Sequence, residues 1–399
     1  MDREISPPPL KRRRIANTTT EKHTETQPPS PSLRIFSWNI NGITPFIQTP
    51  ITTFFTSTTN HKPPQTTPTP SLRTFLTTHS FPPLLLLQEV KIAPSDTPTQ
   101  KALSSSIKRS ASEPASNPDY ITHFNLPHDP HNATGFGRKV HGVCSIIRKD
   151  FAEKHVETLR NVDWDAEGRV SVIETKGGGP LLDDDDDENG RCRFPKLAIL
   201  NVYLPNGTSN PYRDSATGAI IGTRHDRKLA VHKLLQDEVR RLEDDGFGVV
   251  VAGDFNIACE GIDGFPDLRT FPRQHVLNRR DFLGRFLGVG GQGKRGEELG
   301  GSGENEGEGD DGSRSLNMVD TFRSLHPDAR GYSYYPRGRS FGQSCDRVDM
   351  VICSRSLAGK CTEAGMLATE ADRGPSDHVP IFASFDVYEQ PPQQQPPDK

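Results

Sequence analysis

The sequence predicts an α/β fold, a four-layer sandwich of two packed mixed β-sheets flanked by helices. Short apolar β-type runs recur along the chain, whereas helical periodicity is confined mainly to two segments. Many strands with few helices bury their apolar faces best when two sheets pack together and helices cover the outside. Composition agrees: only 32% of the 399 residues are hydrophobic, with 34 prolines and 35 glycines, which suits one sizeable core with polar additions.

Residues 1–31 are polar and proline-rich, and "PPPLKRRR" (Pro7 to Arg14) is a basic cluster of nuclear-import type. Residues 32–386 are expected to form the folded domain, with disordered insertions at about 44–70, 94–118, 177–192 and 288–314, and 387–399 a second disordered tail. The first two insertions are rich in Thr, Ser and Pro and bury too little apolar surface to offset their ordering entropy. The third, "GGGPLLDDDDDENGRC", separates two strand-like runs and reads as a long hairpin insertion; the fourth is Gly-rich. Between them, strands are expected at Leu33 to Trp38, Leu84 to Gln88, Gly142 to Ile147, Arg169 to Ile173, Lys196 to Tyr203, Gly248 to Ala252, Val348 to Cys353 and Val379 to Phe385. Helices are expected at Arg224 to Glu243, where Leu229, Leu234, Leu235, Val239 and Leu242 fall at helical spacing, and at Arg279 to Leu287.

The formal net charge of −4 gives no global basic signal for nucleic acid, though a local basic face remains compatible with it. Six scattered cysteines without a CxxC pair and an N-terminus without an apolar signal segment point to a reducing compartment. No apolar stretch approaches the ~20 residues of a membrane span. The chain is therefore expected to be soluble and intracellular.

Several strands end in residues that a core would reject. "SWNING" carries Asn39 and Asn41, "LLLLQEVK" Gln88, Glu89 and Lys91, and "NVYLPN" Tyr203 and Asn206. "GDFN" carries Asp254 and Asn256, "CDRVDM" Asp346 and Asp349, and "PSDHVP" Asp377 and His378. A single strand-end Asp or Asn is commonly a turn or cap. Six such endings that converge would form a polar pocket at one edge of the sandwich. Hard oxygen donors without paired cysteines suit Mg²⁺ or Mn²⁺ rather than zinc. A histidine beside them can bind a phosphoryl oxygen or move a proton, its tautomer held by a second carboxylate. Metal-assisted hydrolysis of a phosphate ester is the reaction class these residue types favour.

From Arg34 to Phe385 this ordered set resembles the endonuclease/exonuclease/phosphatase superfamily, and within it the exonuclease III-type apurinic/apyrimidinic endonucleases. The resemblance implies a deoxyribonuclease I-like sandwich. Glu89 is then the principal metal ligand, Asn41 and Asp377 belong to the metal site, and Asn39 supports the network around it. Tyr203 and Asn206 contact the scissile phosphate. Asp254 activates or orients the attacking water or protonates the leaving group, and Asn256 contacts the transition-state phosphate. Asp349 orients the catalytic His378. Asp254, Asn256 and His378 are counted with the metal-site residues as well. Arg224, Arg227 and Lys228, at the start of the amphipathic helix, are candidates for gripping DNA. Tyr334 and Tyr335 of "YSYYP" are candidates for lining the pocket of an extruded abasic sugar, and Asp320 for a supporting polar contact. Asp346 stands where the family often carries Trp. "CDRV" also resembles the motif of inositol polyphosphate 5-phosphatases, although Asp349 stands where those enzymes carry a hydrophobic residue.

The activity so implied is Mg²⁺-dependent cleavage (Mn²⁺ serving as well) 5′ to abasic sites in double-stranded DNA during base excision repair, with trimming of 3′ ends beside it. The expected enzyme is a monomer, nuclear with room for a mitochondrial pool. Two alternatives stand: a phosphatase or RNA nuclease of the same fold, since fold does not decide substrate, and a binding protein with a retired site.

Overall fold

The computed structural model describes residues 32–47, 70–133, 139–177, 194–288 and 314–387. The expected N-terminal tail, most of the C-terminal one, residues 48–69, the acidic run in 178–193 and the Gly-rich stretch 289–313 lie outside the described residues. In chain order the strands are β1 (Leu33–Asn39), β2 (Leu84–Gln88), β3 (Tyr120–Asn125), β4 (Val143–Arg148), β5 (Val156–Asn161), β6 (Val170–Thr175) and β7 (Leu197–Tyr203). They continue with β8 (Pro211–Arg213), β9 (Ile220–Thr223), β10 (Gly248–Asp254), β11 (Val319–Asp320), β12 (Asp349–Cys353), β13 (Cys361–Met366) and β14 (Ile381–Phe385). The helices are α1 (Thr44–Ile47), α2 (Leu72–Thr78), α3 (Thr97–Ser106), α4 (Lys149–His155), α5 (Arg224–Asp244), α6 (Gln274–Phe282), α7 (Thr321–Leu325), α8 (Arg355–Ala358) and α9 (Glu370–Arg373).

Two six-stranded mixed sheets form, in the orders β13-β14-β1-β2-β4-β3 and β11-β12-β10-β7-β6-β5. Their central strands read as continuous apolar runs because both faces of each sheet are covered. Leu33, Ile35, Leu84 and Leu86 of the first sheet meet Ile199, Val250, Ala252 and Val351 of the second in the inner core. The alternate residues of the first sheet, Phe36, Trp38, Leu85 and Leu87, pack outward against Leu72 and Leu76 of α2 and Leu103 of α3. Those of the second, Leu200, Val249 and Val251, pack against Val231, Leu235, Val239 and Leu242 of α5 and Phe282 of α6. Each such aliphatic side chain contributes ~1.5–3 kcal/mol on burial. The four-layer sandwich expected from the strand pattern is the fold.

Local differences have identifiable causes. Residues 94–118, read from composition as a disordered insertion, carry α3. Its N-cap Asp96 accepts from Thr99 N at 3.2 Å, and Leu103 and Ile107, four residues apart, bury fully. Farther on, Glu113 accepts from Arg73 Nε at 3.0 Å and pins the following turn. Thr44–Ile47, placed by sequence in the first insertion, form a helical turn that buries Phe46. The strands β3, β5 and β13, not anticipated, lie at or beside sheet edges, where polar residues face solvent and the apolar run is broken. The five cysteines among the described residues are free and buried. No helix of the described residues is long and apolar enough to cross a membrane.

Candidate active site

Strand register assembles the motif residues. Asp254, the last residue of β10, pairs with Asp349 of antiparallel β12 and, on its other side, with Tyr203 of parallel β7. In the first sheet Asn39 pairs with Gln88, and Glu89 follows. A slip of one residue would turn each of these side chains to the opposite face. Gly253 secures the step before Asp254: its φ is 155°, and a Cβ there would lie 1.8 Å from the Val202 carbonyl oxygen, so a side chain does not fit. Just past the strand ends the chain turns sharply. Asn41, Glu89, Lys91 and Asn256 have φ between 50° and 56°. Asparagine accepts this left-handed region readily, whereas for Glu89 and Lys91 it costs of order 1–3 kcal/mol each. Backbone bonds from Val90 N to Gly142 O (3.0 Å) and Lys91 N to His141 O (3.2 Å) hold that turn.

Asn39 ties the two sheets together. Its Nδ2 donates to Glu89 Oε1 at 3.1 Å and to Asp254 Oδ2 at 3.0 Å, and its Oδ1 accepts from Asn41 N at 3.0 Å. Asn41 Nδ2 donates to Asp377 Oδ1 at 2.9 Å. The Lys91 ammonium contacts Asn41 Oδ1 and pairs with Glu89 Oε2 at 3.1 Å. Asn256 N donates to Asp254 Oδ1 at 2.8 Å, and Asn256 Nδ2 to Leu204 O at 2.9 Å. His378 Nδ1 lies 2.7 Å from Asp349 Oδ2, while Nε2 faces Asp254 Oδ2 at 4.0 Å. Two serines that the sequence reading passed over set this dyad. Ser376 Oγ donates to Asn39 O at 2.6 Å and accepts from His378 N at 3.0 Å, and Ser333 Oγ accepts from Asp349 N at 3.0 Å.

The charges follow from these contacts. Burial disfavours ionised Glu89, but the Lys91 charge and the hydrogen bonds from Tyr203 and Asn39 outweigh it and hold the carboxyl below its ordinary range. Burial, reinforced by the Glu89 charge, pushes the Tyr203 phenol well up, so Tyr203 remains a donor. Burial and the neighbouring Asp349 charge push the Asp254 carboxyl up, against the opposing His378 charge. Burial alone would lower the His378 pKa. The charge and hydrogen bond of Asp349, with Asp254 and Asp377 nearby, overcome it and raise the value to about 10. The raised value favours the imidazolium form of His378.

The remaining predicted residues divide. Tyr334 is half-buried with its ring 5.1 Å from that of His378, whereas Tyr335 stacks on Phe341 at 4.1 Å in a small core of its own. Asn206 is exposed at the turn after β7. Asp346 is buried and pairs with Arg269 at 2.7 Å. Asp320 caps α7 and pairs with Arg347 at 2.8 Å, bracing the chain just before Asp349.

Arg224, Arg227 and Lys228 do not form the free basic face that the sequence led us to expect. Glu167, fully buried, accepts from Arg224 Nη1 at 2.8 Å and Arg227 Nε at 3.0 Å, and it also binds Arg169 Nε at 3.0 Å. A buried carboxylate needs such partners, and it draws the arginines inward. Arg169 in turn donates to Tyr203 O at 3.0 Å. Lys228 is buried entirely. The "EGR" of Glu167 to Arg169 was the available signal for this network.

Asp254, Asp349 and His378 offer ligand atoms within 4.8 Å of one another. The 2.7 Å contact between His378 Nδ1 and Asp349 Oδ2 occupies that ring nitrogen and leaves Nε2 facing Asp254. The oxygens of Asn41 and Glu89 share the Lys91 ammonium.

The family model described as Endonuclease/Exonuclease/phosphatase family matches residues 36–378. Among solved structures the chain is similar to the APE2 catalytic domain of Xenopus laevis, at 16% identity and TM-score 0.55, covering 91% of this chain and 94% of that one. It is similar to the AP endonuclease LMAP of Leishmania major, at 16% identity and TM-score 0.54, covering 92% and 90%. An AP endonuclease from Archaeoglobus fulgidus follows at 17% identity and TM-score 0.51, covering 89% and 99%. At these identities the likeness is one of fold. No curated protein matches the chain. The strand-end carboxylates and the Asp349–His378 dyad thus sit where a matching family model spans them: the chain belongs to the endonuclease/exonuclease/phosphatase family.

Proposed function

We propose that this protein is a metal-dependent DNA repair nuclease that hydrolyses the phosphodiester 5′ to abasic sites and trims blocked 3′ ends in base excision repair. The observation that carries the reading is the joined network Glu89–Asn39–Asp254 with the Asp349–His378 dyad, an acceptor and a donor facing one another at 4.0 Å across a polar edge of the sandwich.

The residues present fit a hard divalent cation. Asn41 Oδ1 and Glu89 Oε2 already share one positive charge, that of Lys91, and every donor in that corner, Asp377 included, is oxygen. Asn41, Glu89 and Asp377 would hold Mg²⁺ or Mn²⁺, and the ion would neutralise charge on the phosphate. The protein's own groups do the rest. Ionised Asp254 takes a proton from the water whose oxygen bonds to phosphorus, while the bond from phosphorus to the upstream 3′ oxygen breaks and that oxygen leaves as a hydroxyl, its proton drawn from solvent. The His378 imidazolium and the Asn256 and Asn206 amides donate to phosphate oxygens as negative charge develops, an effect worth ~10²–10³-fold for one such donor. Asp349 keeps the His378 ring oriented and charged. Tyr203 fixes Glu89 by its hydroxyl.

Tyr334, beside His378, is the aromatic wall we assign to an extruded abasic sugar, which is displaced at lower cost than a stacked nucleotide. The "PPPLKRRR" cluster supports a nuclear location. A phosphatase of the same family is the second reading, favoured by one feature: the Asp346–Arg269 pair at 2.7 Å gives the wall next to Tyr334 a polar, charged character. A panel with Mg²⁺ decides between them: a duplex with one tetrahydrofuran abasic analogue, a 3′-phosphate nick, single-stranded RNA and inositol polyphosphates. The nuclease reading expects turnover of the first two. Release of phosphate from the inositol compounds alone would replace it with the second.

A further inference from the structure

Lys228 was expected to face DNA, and its actual place suggests another use. It lies on α5 with its side chain fully buried. Its Nζ donates to Pro205 O at 2.7 Å, Phe255 O at 2.8 Å and Asn256 O at 3.2 Å. Three acceptors match the three N–H bonds of an ammonium. One acceptor belongs to the turn that follows Tyr203 of β7 and carries Asn206; two belong to the turn that follows Asp254 of β10 and carries Asn256.

The surroundings press the first turn onto the lysine. Gly207 has φ 66°, and a Cβ there would lie 2.7 Å from Lys228 Cδ and 2.3 Å from Asn278 Nδ2. Asn278, from α6, donates to Gly207 O at 3.3 Å and bonds His225 Nδ1 at 2.7 Å. Among the described residues no carboxylate pairs with Lys228 at salt-bridge distance. A buried ammonium without a contacting counter-charge is costly, and burial pushes the Lys228 pKa down to about 7 against the Asp254 charge. Methionine would fill a similar volume without that cost, so the three directed donors call for an explanation.

We propose that Lys228 is a positioning residue: its Nζ fastens the two phosphate-facing turns to each other from behind, so that Asn206 and Asn256 hold one separation through the reaction. The inference rests on the reading of this site as a phosphate-ester hydrolase. Displacing a reacting or binding group by about 1 Å can cost ~10²-fold in rate.

The test measures kcat, KM and melting temperature for Lys228→Gln and Lys228→Met, on the abasic duplex and on the activated diester bis(p-nitrophenyl) phosphate. Gln keeps two donors and loses the charge; Met loses both. Lys228→Gln should lower kcat ~10–100-fold with KM changed by less than about threefold, and Lys228→Met should lower it further. In an Asn256→Ala background, Lys228→Gln should cost less than about threefold, because one of the two groups whose separation it fixes is already gone. A folded Lys228→Gln protein with kcat within about threefold of wild type, or an equal cost in both backgrounds, overturns the proposal. If neither Lys228 variant folds, Asn278→Ala, which loosens the Gly207 carbonyl without altering a charge, decides in the same way: a kcat loss of about tenfold or more at constant KM supports it, and unchanged kcat overturns it. Wild type inactive on both substrates removes the hydrolase reading and this inference with it, whereas active wild type with unaffected variants removes this inference alone.

Discussion

Replacing Asp349 by asparagine keeps the shape of the side chain and removes the charge that holds His378. Asp349 Oδ2 lies 2.7 Å from His378 Nδ1, both groups are buried, and Asp349 is the chief influence raising the histidine pKa to about 10 against the effect of burial. A hydrogen bond to a charged group contributes ~1.5–3 kcal/mol, and one pKa unit corresponds to about 1.4 kcal/mol. The His378 pKa should therefore drop by roughly one to two units. The sign follows from the raised value: the imidazolium persists below the folded pKa and is lost as pH rises through it. Activity that needs the imidazolium should then fail about one to two pH units earlier on the alkaline side in Asp349→Asn than in wild type. Loss of the orienting partner should also lower kcat at pH 7 by ~10–100-fold. Steady-state incision from pH 6 to 10, with imidazole NMR titration of both proteins, measures both effects. Superimposable pH profiles and equal histidine titrations would refute the assignment of Asp349 to His378.

Other residues give independent checks. Asp254, pushed up by burial and Asp349, should impose an acid limb on the rate, with activity falling as pH drops through a midpoint above the usual carboxylate range near ~4; a leaving-group acid would instead lose activity in alkali, so the pH–rate profile assigns the role. Glu167→Gln takes away the charge shared by Arg169, Arg224 and Arg227. It should destabilise the fold by ~3–5 kcal/mol in urea unfolding, and a loss under about 1 kcal/mol would contradict the network. Gly253→Ala places a Cβ 1.8 Å from the Val202 carbonyl oxygen and must part β10 from β7; a protein melting at the wild-type temperature would show that reading to be wrong.

The sandwich was legible because its central strands are buried on both faces and so spell long apolar runs, as in "LLLLQ" of β2 and "GVVVAGD" of β10. The edge strands β3 and β5 were not, since "YITHFN" and "VETLRN" mix exposed polar residues into the pattern. At the site, Asp254, Asn256, Asp349 and His378 could be read as strand-end residues out of place in a core; register pairs Asp254 with Asp349, and hydrogen bonds join Asn256 and His378 to them. Ser333 and Ser376 escaped notice because a lone serine in a loop carries no pattern. The direction of the α5 cations was misread for a physical reason: a helix start rich in Arg and Lys looks solvent-facing until a partner such as Glu167, sixty residues away, is known to lie beneath it. Lys228 was misplaced likewise, because its acceptors are backbone carbonyls, which no sequence motif marks.

The most direct test is single-turnover incision of a labelled duplex bearing one tetrahydrofuran abasic analogue, with Mg²⁺ or EDTA and with wild type or Glu89→Ala. The account predicts a cut immediately 5′ to the analogue by wild type in Mg²⁺. It also predicts loss of at least ~10²-fold with EDTA or in a folded Glu89→Ala protein. Incision that persists at the wild-type rate without Glu89, or no incision by folded wild type in any divalent metal, would contradict it.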